Sequence, residues 1–524
     1  MRIDGRRVRL LALMACAGLA ACASLPPRGA SEPDAALPGS GDTPLARIAQ
    51  ASRPAWETDP SAFRLLPMGE SAFAARVALA ERAVRSIDAQ YYHVHGDEAG
   101  KVFLRSLRDA ARRGVRVRLL VDDFYAGDIE DLLVGLAAHP GVQLYLFNPL
   151  PARGGTPLAR LLRSSHEFER VNHRMHNKLF VADNAVAIYG GRNVGNEYFM
   201  RDGHANFVDL DVLSTGQVVT DLAQAFDRYW HSEQAWPLHA VVSAEGDGAG
   251  RRAAFERAVQ EVDADLRAEP PRDVLGQLPV TVELAQGRLS LHYGAARVMP
   301  DPPDKVVAPV RPGQPSAAMR GQLDAIAAAQ SDVAISSPYF LPSGFGMGLL
   351  TEARARGIQV LVLTNSLGST DESLAHAAYS PYRPEMLRQG IELYELGPTL
   401  AQAAGGFGRF GKSIARLHAK LAVIDRRWLL VGSVNLDSRS AVYNTELGVA
   451  IDCPPVAIAA LRVVAGDAFR SMYRLRLAAD GQTIEWVHSA PDGSLVVTDQ
   501  EPGSTWWLRL RLWLQSRFVS DELL

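Results

Sequence analysis

The sequence has few cysteines and no excess of basic residues. Only Cys16, Cys22 and Cys453 occur among 524 residues, and two of them lie near the N-terminus, so a disulfide-stapled scaffold is excluded. The 55 basic and 58 acidic residues give a formal net charge of −3, which excludes a global positive field that recruits nucleic acid. Any phosphate chemistry must therefore depend on a local cluster. Apolar residues (47%) and charged residues (22%) are in ordinary globular proportions, which excludes wholesale disorder, collagen and coiled coil.

Residues 1–22 have the layout of a bacterial export signal. Four arginines precede a short apolar core, Leu10 to Ala17, which is followed by small residues and is too short to span a membrane. The stretch 19–22 (LAAC) resembles a lipobox, so we expect Cys22 to be lipidated and to become the mature N-terminus. By the same resemblance, Ala23 after the cysteine favours sorting of the lipoprotein to the outer membrane. The alternative location is another periplasm-facing membrane of the cell envelope. The alternative is a plain signal peptide or uncleaved anchor with an incidental cysteine.

The residues after the export signal are predicted to form a tether. Residues 25–45 are rich in proline, glycine, alanine and serine, and we expect the whole segment 23–62 to be flexible. Cys453 ends an apolar run, and it is predicted to be a buried core residue and the one free thiol of the mature chain.

The remainder of the chain contains two copies of one unit. The segment 102–121 (VFLRSLRDAARRGVRVRLLV) matches 347–363 (MGLLTEARARGIQVLVL), and 141–145 (GVQLY) matches 390–394 (GIELY). Each copy alternates helical segments with short apolar runs bounded by glycine, which predicts βαβ units around a largely parallel sheet. The predicted organisation is a first domain at 63–236, an inter-domain segment at 237–316, a second domain at 317–480 and a C-terminal tail at 481–524.

Both copies end in the same pattern of polar residues. A histidine is followed after two residues by a lysine, then by an aspartate, and finally by an asparagine behind a pair of small residues. Two in-register copies inside a duplication exclude coincidence. The residues of the pattern are His176, Lys178, Asp183 and Asn193 in the first copy, and His418, Lys420, Asp425 and Asn435 in the second.

The pattern indicates a site for a tetrahedral phosphoryl group. On a strand, residues two apart share a face, so each histidine points the same way as its lysine. Pairing the copies about a pseudo-twofold axis would collect two histidines, two lysines and two asparagines around one anion. One histidine could attack phosphorus while the other protonates the leaving alkoxide, and the lysines would supply the positive charge. No metal or other cofactor is expected. Gly190 and Gly432 are expected to let the backbone approach a ligand closely.

These residues resemble the phospholipase D superfamily, whose HxKxxxxDxxxxxxG(S/G)xN signature appears here twice. The stretches 172–178 (NHRMHNK), 364–371 (TNSLGSTD) and 444–446 (NTE) also resemble the ClsC-like branch of the bacterial cardiolipin synthases. The resemblance extends from about residue 63 to the C-terminus. It implies an α/β fold made by tandem duplication of a phospholipase D-type sandwich domain, with one active site at the pseudo-twofold interface.

The resemblance also implies a role for each histidine. One forms a phosphohistidine intermediate, and its partner acts first as general acid and then as general base. The commoner assignment in the family makes His176 the nucleophile and His418 the acid, although a pseudo-symmetric site leaves the order open. Asp209 and Glu446 stand at equivalent places after the two motifs, where a carboxylate can accept a hydrogen bond from an imidazole and fix its tautomer.

Asp183 and Asp425 belong to the signature but are expected to be structural. They would lie on the pleat face opposite to the lysines, because they follow them by an odd number of residues along the strand. We therefore predict that each ties a turn beside the strand.

The predicted activity is that of a phosphatidyltransferase. A phosphatidyl group would pass to a histidine, and phosphatidylglycerol would resolve the intermediate to give cardiolipin; phosphatidylethanolamine is a further candidate lipid, and the membrane surface is the expected partner. Transfer follows from the branch resemblance alone, because water and a lipid alcohol attack the same intermediate, so a hydrolytic phospholipase D is the alternative. Nucleic acid is not expected as a partner, since no basic stripe interleaved with aromatic residues is present. A non-catalytic envelope lipoprotein is disfavoured because both residue sets are intact.

Three other patterns are given less weight. Residues 406–413 satisfy the P-loop pattern, but neither the strand before it nor the helix after it is predicted, so we interpret it as a coincidence. His93 and His95 share a strand face, yet no set of further ligands completes a metal site. The stretch 506–514 (WWLRLRLWL) suits an interface between water and acyl chains, or it packs as an ordinary terminal element; both interpretations stay open.

Overall fold

A computed structural model describes residues 25–28, 34–242, 247–260, 262, 269–308, 314–400, 413–490, 492–504 and 507. The export signal with Cys22, the P-loop-like stretch apart from Ser413, and the apolar tail apart from Trp507 lie outside the described residues. Within the described ranges, every helix is too short or too polar to cross a bilayer.

The first half of the chain forms strands β1 to β9 and helices α1 to α11. The strands are β1 Ser61–Leu66, β2 Ser86–Tyr91, β3 Arg116–Asp122, β4 Val142–Phe147, β5 Leu179–Ala182, β6 Val186–Gly190, β7 Ala205–Val208, β8 Asp211–Gly216 and β9 Ala235–Pro237. The helices are α1 Pro44–Ser52, α2 Gly69–Arg82, α3 Glu98–Arg112, α4 Asp123–Ala126, α5 Glu130–Ala137, α6 Pro157–Arg163, α7 Phe168–Val171, α8 Gln217–Trp230, α9 Leu238–Val241, α10 Gly248–Gln260 and α11 Val280–Ala285.

The second half repeats this arrangement. Its strands are β10 His292–Pro300, β11 Asp332–Ser336, β12 Gln359–Asn365, β13 Glu392–Leu396, β14 Ile414–Leu417, β15 Leu421–Ile424, β16 Trp428–Gly432, β17 Leu447–Asp452, β18 Met472–Leu477, β19 Ile484–Ser489 and β20 Leu495–Thr498. Its helices are α12 Ala317–Ala327, α13 Ser343–Ala355, α14 Ser373–Tyr379, α15 Arg383–Arg388 and α16 Pro454–Ala465, with a π-helix at Arg439–Tyr443. Short 3-10 turns include Asn196–Phe199 in the first half.

Local sequence explains how each helix leads into the next strand. The Asp97 carboxylate accepts a hydrogen bond from the Gly100 N–H at 2.9 Å and so starts α3. Gly114 follows α3 with φ +89°, a left-handed conformation that ends a helix at little cost to glycine. Gly357 has φ +82° after α13, so the two helix–glycine–strand units of the repeat share one geometry.

The sheet is mixed, so the prediction of a largely parallel sheet was wrong. Parallel pairing joins β2, β3 and β4 in the first half and β11, β12 and β13 in the second. The strand after each motif histidine instead turns back through a tight hairpin, because Asp183–Asn184 and Asp425–Arg426 all have φ between +48° and +54°. Two consecutive left-handed residues make the hairpin turn that matches strand twist, and the next strand is therefore antiparallel.

The two halves form one continuous sheet with a shared core. The order is β9-β4-β3-β2-β5-β6-β8-β1 in the first half and β10-β17-β16-β15-β11-β12-β13-β18-β19-β20 in the second, joined by antiparallel β1–β10 pairing. A single buried cluster contains Leu179 and Val181 from one half together with Leu421 and Val423 from the other. The strands that directly follow the two motif lysines, β5 and β15, thus share one apolar core. The predicted α/β tandem duplication is confirmed.

Segments outside the two predicted domains also contribute to the fold. Strand β10 comes from the predicted inter-domain segment, and β19 and β20 come from the predicted tail, yet all three pair within the sheet. Helix α1 lies within the predicted flexible tether, where Leu45 is fully buried. These segments are ordered because their strand edges are paired and their apolar side chains are covered. Cys453 is fully buried, in agreement with the sequence prediction.

Candidate active site

Each motif histidine lies beside a carboxylate from the other half of the chain. Strand β14, which ends one residue before His418, pairs in parallel with β7, which ends one residue before Asp209. In the related position, the His176 N–H donates to the Thr445 carbonyl at 2.9 Å, one residue before Glu446. The two short pairings are related by the duplication. They bring both motifs to one site between the halves.

Both imidazoles are oriented by these carboxylates. His176 Nδ1 is 3.0 Å from Glu446 Oε2, and His418 Nδ1 is 2.6 Å from Asp209 Oδ2. All four side chains are buried. A carboxylate that accepts from Nδ1–H leaves the lone pair on Nε2, so each ring can present a nucleophilic or basic nitrogen to a bound group.

Burial controls the protonation of these pairs. It lowers the pKa of His176 to about 4 and that of His418 well below the ordinary value, with Lys420 and Lys178 adding to the effect at His418. Burial alone would raise the pKa of Glu446, but His176 and Lys178 lower it below the ordinary value, whereas burial raises the pKa of Asp209. Both imidazoles are therefore neutral at pH 7 in the free protein.

The two lysines supply buried positive charge. Lys178 Nζ donates to the His176 carbonyl at 2.5 Å, and Lys420 Nζ donates to the His418 carbonyl at 2.6 Å. Burial lowers the pKa of Lys178 well below its ordinary value and that of Lys420 to about 8. Each lysine acts electrostatically on the other half's histidine. The charges of the two motifs thus converge on a common space.

The motif asparagines lie beside the same site. The Asn193 Nδ2 donates to the Tyr198 hydroxyl at 3.0 Å, and its Oδ1 accepts from the His93 N–H at 3.3 Å. Asn435 is buried, and its Oδ1 has no hydrogen-bond partner within the described part of the chain. Its Oδ1 therefore has spare capacity to accept a hydrogen bond, whereas only its Nδ2 could donate to a phosphoryl oxygen.

The two carboxylates differ in their surroundings. Glu446 also accepts hydrogen bonds from the Ser433 and Ser440 hydroxyls, the latter at 2.6 Å. Gly191 stands where the second half has Ser433, and a Cβ there would collide with both carboxylate oxygens of Asp209. A serine at position 191 would collide with the Asp209 carboxylate, so the first half requires a glycine there. The two halves of the site thus share their histidines, lysines and asparagines but differ around the two carboxylates.

Tyrosines at the site were not predicted from the sequence. The Tyr92 ring stands edge-on to His176 at 5.1 Å and lies 5.2 Å from Lys178 Nζ, while the Tyr198 ring lies 5.3 Å from His418. Neither tyrosine belongs to the repeated pattern. In sequence they are indistinguishable from core aromatic residues, although Tyr92 does follow a predicted strand directly.

His93 and His95 pack on aromatic rings near the site. The His93 ring stacks on His95 at 3.7 Å and on Tyr125 at 4.2 Å. Burial lowers the pKa of both imidazoles. The described ranges contain no group of three or more histidine, cysteine, aspartate or glutamate residues placed to hold a metal ion.

The signature aspartates lie at hairpin turns. Asp183 accepts hydrogen bonds from the backbone N–H groups of residues 84, 85 and 86 at 2.8 to 3.2 Å. Asp425 accepts from the corresponding groups of residues 330, 331 and 332 at 2.7 to 3.2 Å. Each carboxylate ties the turn after a motif strand to the start of the neighbouring strand, as expected of a structural role.

Asp183→Ala is expected to lower the free energy of unfolding by about 2–4 kcal/mol, because it leaves several backbone donors unsatisfied at a site with 1% exposure. The kcat/KM of the folded fraction should stay within about threefold of the wild-type value, since the side chain is tied to the turn. Urea denaturation and activity of the same preparations provide the measurements. Asp425→Ala is the matched control: its contacts are equivalent but partly exposed, so a smaller loss is expected, and an equal collapse of activity in both variants would refute a purely structural role.

Gly190 and Gly432, at equivalent places in the two copies, both make room for a neighbouring strand. A Cβ at Gly190 would collide with the backbone around Leu210, and one at Gly432 would collide with the Leu447 carbonyl. These glycines therefore admit the adjacent strand, β8 or β17, and close approach of the backbone to a ligand stays a prediction.

Comparisons with known proteins show the family of the chain. A family model described as "Cardiolipin synthase, PLD-like domain" matches residues 77–230 and 323–463, and each matched segment contains one motif histidine. "Cardiolipin synthase C" of Escherichia coli (strain K12) is 34% identical over 495 residues, which is 92% of this chain and 100% of that protein. "Cardiolipin synthase" of Geobacillus kaustophilus (strain HTA426) is 27% identical over 384 residues, 73% of this chain and 61% of that protein.

The fold also has a solved counterpart. The crystal structure of phosphatidylserine synthase from Haemophilus influenzae Rd KW20 covers 88% of this chain and 94% of its own, with a TM-score of 0.56 at 14% identity. At that identity the likeness concerns the fold. Because the family model covers more than half of the residues and both motifs, the chain belongs to the phospholipase D superfamily, in its cardiolipin synthase-like family.

Proposed function

We propose that this enzyme is a phosphatidyltransferase that makes cardiolipin from phosphatidylglycerol. The observation that carries the proposal is the pair of buried histidine–carboxylate couples that cross between the halves, with two lysines directed at the same space. Full-length similarity to "Cardiolipin synthase C" supports the substrate class.

In the first step, His176 Nε2 attacks the phosphorus of the donor lipid. A P–N bond forms, the P–O bond to the headgroup breaks, and His418 gives its proton to the leaving alkoxide, so that glycerol leaves when the donor is phosphatidylglycerol. His418 is neutral in the free enzyme, but an anionic phosphodiester beside it raises its pKa and favours the protonated form. The lysines and asparagines hold the phosphoryl oxygens.

In the second step, the acceptor lipid resolves the phosphohistidine. The now neutral His418 takes the proton of a primary hydroxyl of phosphatidylglycerol, the new P–O bond forms, and the P–N bond to His176 breaks. Asp209 and Glu446 hold the two rings in the required tautomers and stabilise the imidazolium forms. Lys178 and Lys420 supply the charge that metal ions supply in other phosphoryl-transfer sites, so no cofactor enters the proposal.

Lipid mass spectrometry tests this function. The purified protein is incubated with phosphatidylglycerol, with and without phosphatidylethanolamine whose acyl chains differ in mass, and the His176→Ala/His418→Ala variant is the control. Cardiolipin with released glycerol is expected, and its acyl masses identify the donor. Phosphatidic acid without cardiolipin would instead indicate a hydrolytic phospholipase D. No change in any lipid would remove phospholipids as substrates.

We further propose that the protein is a lipid-anchored component of the bacterial cell envelope. Cys22→Ala should abolish incorporation of a labelled fatty acid, because the thiol is the proposed attachment point. Gel fluorography of cells grown with the label measures it, and Cys16→Ala should retain full labelling. Equal labelling of wild type and Cys22→Ala would contradict the lipobox interpretation and leave a plain signal peptide or anchor.

A further inference from the structure

A cavity in the second half of the molecule has walls that are mostly apolar. Its volume is about 270 Å³, and it lies between helices α12 and α13 and the π-helix Arg439–Tyr443. An apolar cavity of about 150 Å³ is already large enough to bind benzene. Met319, Leu323, Leu349, Leu350 and Val442 are typical of its lining. We refer to it as the half-two cavity.

The cavity and the catalytic groups share a wall formed by residues 435–441. Along two segments of the chain, one residue belongs to the site and the next lines the cavity. Asn435 precedes Leu436, and Ser440, whose hydroxyl donates to Glu446 at 2.6 Å, precedes Ala441. The polar lining residue Asp437 is engaged in this wall, because its carboxylate accepts from the Ser440 N–H at 2.8 Å.

The cavity also reaches the protein surface. Phe345 lines it while 65% of the Phe345 side chain remains exposed. Exposed large apolar side chains at the rim of an apolar cavity are typical of ligand or membrane contact. A long apolar group could therefore enter from outside and end beside the reacting phosphate.

In the first half, two phenylalanines pack together at the corresponding place. Phe73 and Phe199 place their ring centroids 4.7 Å apart, and both side chains are fully buried. Phe73 and Met319 occupy equivalent positions, counted back from the first residue of β2 and of β11 respectively. Phe199 and Ala441 also occupy equivalent positions, counted forward from Asn193 and Asn435. One half thus has an aromatic pair where the other has a methionine and an alanine.

We propose that the half-two cavity binds an acyl chain of the donor phospholipid whose phosphate lies between the two histidines. The cavity is apolar, open to the surface and adjacent to the catalytic wall, and these three properties fit an alkyl chain attached to the reacting phosphate. The proposal rests on the proposed function, because it requires a phospholipid substrate.

A chain-length series measures the contribution of the cavity. The substrates are monomeric dibutanoyl-, dihexanoyl- and dioctanoyl-phosphatidylglycerol, and kcat/KM is compared along the series. Each methylene transferred from water to an apolar cavity favours binding by about fourfold, so the wild-type value should rise steeply with chain length. Leu349→Trp and Ala441→Phe fill the cavity from opposite walls, and each should reduce the dioctanoyl to dibutanoyl ratio by at least about tenfold. Ala327→Phe, an exposed position on α12 outside the cavity, should retain the wild-type ratio.

The failures of the two proposals are distinguishable in this experiment. If the wild type acts on none of these lipids, the proposed function fails. If it acts on them and the filled variants keep the wild-type ratio, the acyl site fails while the function stands.

A photoreactive lipid provides a second test that needs no cavity variant. Phosphatidylglycerol with a diazirine at the end of one acyl chain is irradiated with the full-length protein, and the labelled peptides are mapped by mass spectrometry. Label on α13 and on residues 436–443 is expected. Label confined to the first half of the chain would overturn the proposal even if both filled variants failed to fold.

Discussion

His418→Ala is expected to accumulate a covalent phosphatidyl adduct that His176→Ala cannot form. The substrate is a labelled phosphatidyl ester with an activated leaving group, which needs no proton to depart. In His418→Ala the intact His176 remains oriented by Glu446 and can attack phosphorus, but no base remains to activate the incoming alcohol. The adduct should approach one per chain, whereas His176→Ala should carry none.

Quenched reactions identify the bond that holds the label. A phosphohistidine is acid-labile and base-stable, so protein-bound label should survive a basic quench and be lost in acid. Label on His176→Ala and not on His418→Ala would reverse the assignment of the two histidines. Absence of label from both variants, with turnover persisting in either, would contradict covalent catalysis.

Replacing either motif lysine is expected to reduce kcat/KM by about 10²–10³-fold. Lys178→Met and Lys420→Met keep most of the side-chain length but remove a buried amine beside the proposed phosphoryl site, and one such stabilising group contributes about 10²–10³ in rate. Steady-state kinetics on phosphatidylglycerol measure the loss. Lys101→Met, on α3, should retain wild-type kinetics, and circular dichroism should show all three variants folded.

The role proposed for the lysines also predicts how the enzyme responds to chelation of metal ions. Because the lysines supply the positive charge, exhaustive treatment with EDTA should leave wild-type turnover unchanged. Loss of turnover that a divalent ion restores would contradict the role assigned to Lys178 and Lys420. It would indicate that a metal ion shares the stabilisation of the phosphoryl oxygens.

The histidines and carboxylates of the site could be predicted from the sequence, but the tyrosines beside them and the pairing of histidine with carboxylate could not. The repeated pattern identified His176 and His418, and the places of Asp209 and Glu446 after each motif indicated carboxylate partners. Which carboxylate meets which histidine depends on the β7–β14 pairing between the halves, and strands four residues long have no pattern that specifies a distant partner. The structure was therefore needed to show that each histidine pairs with the carboxylate of the other half.

The error about sheet direction has a local cause. Fully buried strands read as continuous apolar runs, which favoured a parallel sheet. The turn residues Asp183 and Asn184 carried the opposite indication, because both residue types tolerate left-handed backbone. In the second copy Arg426 holds the same conformation, and nothing in its residue type predicts it.

The half-two cavity could not be predicted from the sequence either. An alanine and a methionine at helical positions read as ordinary core residues. Only the packing shows that Phe73 and Phe199 fill the corresponding space in the other half. Cavities depend on the absence of side-chain volume, which hydrophobic patterning does not report.

Stereochemistry at phosphorus tests the two-step transfer most directly. The donor is phosphatidylglycerol with a chiral phosphorothioate of known configuration, and the configuration of the cardiolipin formed is assigned by ³¹P NMR. Each displacement inverts phosphorus, so attack by a histidine followed by attack by the acceptor lipid predicts overall retention. Inversion in the cardiolipin product would mean that the acceptor displaces the headgroup in a single step, and it would contradict a phosphohistidine intermediate.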